Sequence, residues 1–186
     1  MKKALLILLA SLLVSAPVFA QNTSIDPDKI TYGVHGGLNF QKGVGFFVGG
    51  FAQLPFLMDD MYIQAGPELA LRRTSYEDLR FRNLYLELPI HLGYNFFLSH
   101  EFSVFADAGP YVGVALARKC TSVELEGYEI DKCNINAFNI GLGLNVGVEL
   151  MEAFRGFVGF DYGFIPVLKH EHARNYGLRI GVGYRF

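Results

Sequence analysis

The stretch Tyr176-Gly177-Leu178-Arg179-Ile180-Gly181-Val182-Gly183-Tyr184-Arg185-Phe186 decides how the rest of the chain is read. Its even positions are apolar or aromatic throughout, and its odd positions are only Gly or Arg. Strict alternation of this kind is the period of a β-strand, whose successive side chains point to opposite faces. One face is therefore unbroken and apolar, while the other alternates small residues with cations.

Read back from that strand, the same alternation recurs over residues 30–40, 46–56, 61–73, 83–95, 102–117, 135–150 and 154–165. Residues 83–95 are the most explicit. Leu84, Leu86, Leu88, Ile90, Leu92 and Tyr94 take one face, and Tyr85, Glu87, Pro89, His91, Gly93 and Asn95 take the other. With the closing strand this makes eight, each near or above the ~9–11 residues that a tilted strand needs to cross a bilayer. The links at 57–60, 97–101 and 151–153 are short, whereas 74–82, 118–134 and 166–174 are longer and charged. Alternating link lengths are the mark of an up-and-down transmembrane barrel with short turns inside the cell envelope and longer loops outside. The short link at 41–45 is the exception.

The faces decide whether lipid or water lies outside, because a soluble, lipocalin-like barrel would point its apolar face inward. One face collects Glu68, Arg72, Glu87, His91, Asp107, Glu149, Asp161, Arg179 and Arg185 together with most strand glycines. An eight-stranded barrel has an interior only wide enough for side chains, so charges interleaved with Gly suit its lumen. The opposite face is Leu, Val, Ile, Phe and Tyr, which leave nothing to satisfy in hydrocarbon. A water-facing surface built from such stripes would aggregate. The expectation is an all-β, eight-stranded antiparallel transmembrane barrel with lipid outside. The nine luminal residues then form either a cross-linked polar plug or a narrow ion or proton path. Glycine is expected to make the room that the luminal arginines occupy. Pro55 is read as ending its strand, and Pro67, Pro89 and Pro110 as bulges or kinks, since proline removes a ladder donor.

At the other end of the chain, Lys2 and Lys3 precede an apolar run from Ala4 to Val14 and a small-residue site at Val18-Phe19-Ala20. This predicts a cleavable signal peptide over residues 1–20, rather than a membrane anchor, and a mature domain over 21–186. Without Lys2 and Lys3, 14 of the 16 basic side chains remain against 18 acidic ones, a formal charge of −4. Nothing in that balance suggests nucleic acid. In an exported chain, Cys120 and Cys133 are expected to form a disulfide, with two free thiols as the alternative. If the bridge exists, reducing agent changes gel migration of the folded protein; identical migration with and without it rules the bridge out. No cofactor or metal is expected, because ligand spacing is missing around either cysteine.

The segment Tyr85-Leu-Glu-Leu-Pro-Ile-His-Leu-Gly-Tyr94 resembles the Tyr-Leu-Glu-hydrophobic-Pro signature of PorT-like outer-membrane barrels of Bacteroidetes, a "porin family" of small barrels. Gly33-Val-His-Gly-Gly-Leu-Asn39 resembles that family's first strand, and Tyr184-Arg-Phe186 its end. The resemblance implies an outer-membrane location and an assembly signal at Tyr184 and Phe186, read by the barrel-assembly machinery. It implies no established activity. The leading expectation is a monomeric, non-enzymatic barrel of structural or interaction type, held in outer-membrane lipid, whose external loops meet an envelope or external partner. A narrow channel and a lipid-modifying enzyme are the alternatives. For the enzyme, Lys169-His170-Glu171-His172 is the only catalytic-looking cluster, and it lacks the spacing that sets two histidines on one helical face.

Overall fold

The computed structural model describes residues 29–76, 79–99, 101–122, 136–166 and 174–186. The chain divides into Met1–Ile30 and Thr31–Phe186, and everything below concerns the second unit. The expected signal peptide, the Lys169–His172 cluster and Cys133 lie outside the described residues, as does the side chain of Cys120.

Nine strands form one antiparallel sheet: β1 (Thr31–Phe40), β2 (Val44–Phe56), β3 (Met58–Ala65), β4 (Glu68–Tyr76), β5 (Leu79–Phe97), β6 (Phe102–Ser122), β7 (Phe138–Leu150), β8 (Phe154–Pro166) and β9 (Arg174–Arg185). β1 pairs with both β2 and β9, so the sheet closes on itself and has no free edge. β3 and β4 both lie between β2 and β5. Pairing lapses at Gly66-Pro67, yet the register is the same on both sides of the lapse. The two segments are one stave, and the ring has eight.

The prolines act where expected, with one difference. Pro67 interrupts that third stave, and a register shift follows Pro55. Around Pro89 and Pro110 the β5–β6 ladder pairs Pro89 with Tyr111 and resumes at Leu92–Ala108, without a bulge. The bulge sits elsewhere. Leu84 faces Ala117 and Tyr85 faces Ala115, which leaves Leu116 as an extra residue.

Two expected loops shrink. Most of the charged segment 74–82 is strand: β4 runs on to Tyr76 and β5 starts at Leu79, with Arg73 opposite Arg82. Likewise β6 continues through Arg118 and Lys119 to Ser122. Beyond an apolar belt both faces of a sheet can be wet, so charge there does not end the ladder.

The faces follow the alternation. Val34, Leu38, Val48, Leu88, Leu142, Leu144 and Ile180 are among the exposed outer residues. Aromatic side chains crowd both rims, with Tyr94–Phe96 and Phe154–Tyr184 at one end and Tyr162–Phe164 at the other. Outward apolar positions on β5 run from Leu84 to Phe96, which at ~3.4 Å per residue and a tilt of ~40° spans about 30 Å. The short turns at 57, 98–99 and 151–153 lie at the end that holds Phe186, whose N–H donates to the Tyr32 carbonyl at 2.9 Å. Met151 (φ 53°) and Glu152 (φ 55°) take consecutive left-handed conformations to make the turn before β8.

Candidate functional site

The lumen is the only place where this fold gathers chemistry on the scale of a site among the described residues, and each stave contributes to it by parity. β7 sends in Asn139, Asn145 and Glu149; β8 sends in Arg155 and Asp161; β9 sends in Arg179 and Arg185. Of the nine residues expected there, eight are buried: Glu68, Arg72, Glu87, His91, Asp107, Glu149, Asp161 and Arg179. Arg185 is partly exposed at the short-turn end, its side chain at 16%.

The structure sorts them into two layers. Toward the long-loop end, Arg72 holds Glu87 through two bonds, Nε to Oε1 at 2.8 Å and Nη2 to Oε2 at 2.6 Å. The same Nη2 lies 2.8 Å from Asp161. Arg179 pairs with Glu68 and reaches Asp161 at 3.6 Å. His35 donates to Glu68 over 2.9 Å, and Asn139 to Glu87 over 3.0 Å. Arg72 and Glu87 stand on neighbouring strands, whereas Arg72–Asp161 and Arg179–Glu68 bridge strands far apart in sequence, because facing walls of so narrow a barrel are within side-chain reach.

Toward the short-turn end, Asp107 accepts from His91 Nδ1 at 2.8 Å, from Asn145 at 2.8 Å and from Tyr62 at 3.2 Å. The carboxylate can only accept, so His91 carries a proton on Nδ1. Arg155 donates to Tyr62 at 2.9 Å and to Gln64 at 2.7 Å, and its Nε lies 3.2 Å from Glu149. Arg185 closes the layer on Glu149 at 2.7 Å. A cavity of about 30 Å³ lies between the layers, lined by His35, Glu68, His91, Asp107, Arg155 and Arg179 among others. That is room for about two waters, each needing ~10–15 Å³.

Arg155 and His35 were missed as members of the cluster. Both share the parity of inward neighbours (Arg155 with Phe157, His35 with Asn39), and that signal was enough to find them. The role expected of glycine also changes. Aromatic rings, rather than arginines, fill much of the space the glycines leave. A Cβ on Gly181 would collide with the Phe157 ring, and one on Gly93 with the Tyr62 ring. Phe47, Phe51, Tyr62, Phe105 and Tyr111 are buried in the same lumen. The guanidiniums rest on them: Arg155 lies 3.7 Å from the Phe105 centroid and Arg179 3.9 Å from that of Phe47. Each arginine is thus held by carboxylates at its edge and a ring at its face, which suits its planar, weakly hydrated head. Tyr184 and Phe186 both point outward, 43% and 69% exposed, with ring centroids 6.3 Å apart.

Solved structures of similar shape include several small outer-membrane proteins. The outer-membrane enzyme PagL matches with a TM-score of 0.51 at 12% identity, covering 84% of this chain and 98% of that one. A major outer membrane protein of Thermus thermophilus matches with a TM-score of 0.48 at 18% identity, covering 85% of this chain and 100% of that one. The N-terminal barrel domain of Pseudomonas aeruginosa OprF follows with 0.45 and 13%, covering 84% and 96%. At such identities the likeness concerns the fold alone. No curated protein matches the sequence. The family model described as an outer membrane protein beta-barrel domain matches residues 19–169, most of the chain. With its sheet closed through eight staves and its apolar face outward, this chain belongs to the outer membrane protein beta-barrel domain family.

Proposed function

We propose that this outer-membrane barrel is a closed, non-enzymatic scaffold that acts through what it displays at its external end and not through its lumen. The observation that carries this reading is the pairing of Arg72 with Glu87 on the neighbouring strand and with Asp161 across the lumen, all three buried. Opening a path through that layer requires breaking charge pairs in a low-dielectric interior, which costs several kcal/mol for each ion left alone. The second layer, from Asp107 through Arg155 to Arg185, repeats the obstacle. The barrel works as a monomer whose external segments, chiefly 118–134, of which the part up to Ser122 extends β6, contact an envelope or external partner. The Tyr85-Leu-Glu-Leu-Pro89 element supports a place among PorT-like barrels, without a secretion role. Tyr184 and Phe186 serve as the signal to the assembly machinery; their outward, lipid-level placement fits a surface read before closure.

Planar-bilayer recording on the purified, folded protein tests the reading. Single-channel current should be missing at neutral pH and ordinary salt. Discrete, ion-selective steps that vanish when Arg72 or Asp161 is substituted would establish the narrow channel instead.

A further inference from the structure

Pro67, Pro89 and Pro110 fall near one height on three adjacent staves. Pro67 interrupts the third stave, Pro89 lies in β5 and Pro110 in β6. The flanking pairs set Gly50 opposite Pro67, Gly66 opposite Pro89 and Ile90 opposite Pro110, which traces one diagonal across the wall. The other side of the ring is built differently: β1, β7 and β9 contain no proline, and β8 only its last residue, Pro166.

Each residue of an antiparallel ladder turns its N–H and its C=O to the same neighbour, and successive residues alternate. The Gly50 N–H donates to the Pro67 C=O at 3.1 Å, so Gly50 faces the third stave. Its own C=O meets Pro67, which has no N–H to return. By alternation Gly66 turns to β5 and meets Pro89, and Ile90 turns to β6 and meets Pro110. Ala115, which donates on the β7 side to Ala137 at 2.7 Å, fixes the same parity on β6. Each of these prolines therefore occupies a hydrogen-bonding position, and the carbonyls of Gly50, Gly66 and Ile90 receive no donor from the residue opposite. Glycine softens two of the gaps. A Cβ on Gly66 would collide with the Gly50 oxygen, and one on Gly109 with the Ile90 oxygen, so each oxygen meets a glycine Cα–H instead. Pro89 follows Leu88 and not a glycine, which makes the junction of the third stave with β5 the weakest of the three.

This weak line stands beside Leu88, at hydrocarbon depth, and directly in front of the cavity. Gln64, Glu68, Pro89, His91 and Asp107 belong to the same staves and line that cavity. The charge layers shut it off from both ends of the barrel, so the wall is the shortest way in. We propose that the wall parts along this diagonal, first between the third stave and β5, and gives the cavity a lateral entrance from the membrane interior for small lipid-dissolved molecules. A backbone group bared to hydrocarbon finds no water to replace its partner. Parting staves on the proline-free side bares a full ladder of donors and acceptors, whereas here part of the ladder is already unmade. That difference sets where the wall opens, and both end layers stay closed as it does so.

The test uses the full mature barrel, folded in nanodiscs and equilibrated with gaseous diazirine. This molecule is little larger than water, dissolves in hydrocarbon, and on photolysis inserts methylene into neighbouring side chains. Peptide mass mapping should find label on Gln64 and His91, which line the cavity, besides the outward Leu88 and Ile90. P67V/P89V/P110V returns an N–H donor to the ladder at each position with a side chain of similar size. It should cut labelling of Gln64 and His91 by about two- to tenfold for each bond restored, the net worth of one hydrogen bond, while Leu88 and Ile90 label as before. The single valine variants give the graded result if the combined one does not fold. Unlabelled Gln64 and His91 in the parent, or undiminished labelling of them in a folded valine variant, would each overturn the proposal.

Discussion

Arg72→Met is expected to lower unfolding free energy by about 3–5 kcal/mol, the usual consequence of removing one partner from a buried ion pair. Arg72 is 2% exposed and its head faces two carboxylates, Glu87 and Asp161, plus the Tyr111 ring at 5.3 Å. Methionine fills much of the same space and supplies no donor, so Glu87 keeps only the Asn139 amide and Asp161 only the more distant Arg179 at 3.6 Å. Most of the loss therefore reflects their stranded charge and not the worth of the pair. Adding Glu87→Gln and Asp161→Asn to Arg72→Met should recover part of the loss, since neutral amides leave less charge unpaired. Arg72→Lys should fall between, because a point charge cannot reproduce the two-pronged contact with Glu87. The chain has no tryptophan, so unfolding in denaturant is followed by circular dichroism and by heat-modifiable gel migration. A midpoint unchanged in Arg72→Met would remove the network from any structural role.

Leu88→Arg and Leu144→Arg should each cost roughly 2–4 kcal/mol of barrel stability in a bilayer, the penalty for Arg facing lipid at the midplane. Both leucines point outward, 37% and 49% exposed, near the middle of β5 and β7. The same change at Leu84, the last apolar position before Arg82, should cost only ~0–1 kcal/mol, because the penalty fades toward the interface. Folding titrations into vesicles measure all three. A cost that did not depend on depth would mean that these side chains do not meet hydrocarbon.

Much of this architecture is legible from period two alone. Once Arg179 and Arg185 are set opposite Leu178, Ile180 and Val182, the remaining staves follow the same rule, and their charges fall into one lumen. What failed was reading polarity as irregular structure. Arg80 and Arg82 looked like part of a loop because they are charged, yet their backbones remain paired, since water can solvate side chains without breaking the ladder between strands. Glycine was assigned to the arginines because sequence shows only that space exists. The rings of Phe157 and Tyr62 that enter it come from neighbouring strands.

The sequence by itself determined the strand period, the number of staves and the chemical character of each face, because these depend on side chains close together along one chain. It also limited the lumen to a balanced set of acids and bases. Only the tertiary structure decided which acid meets which base, for Arg72–Asp161 and Arg179–Glu68 join staves from opposite ends of the chain. It likewise decided that Arg73, Arg82 and Lys119 stand in one row. A single extra residue at Leu116 reverses which face each later side chain of β6 occupies, and a bulge is a property of two paired strands, which neither strand's sequence carries alone.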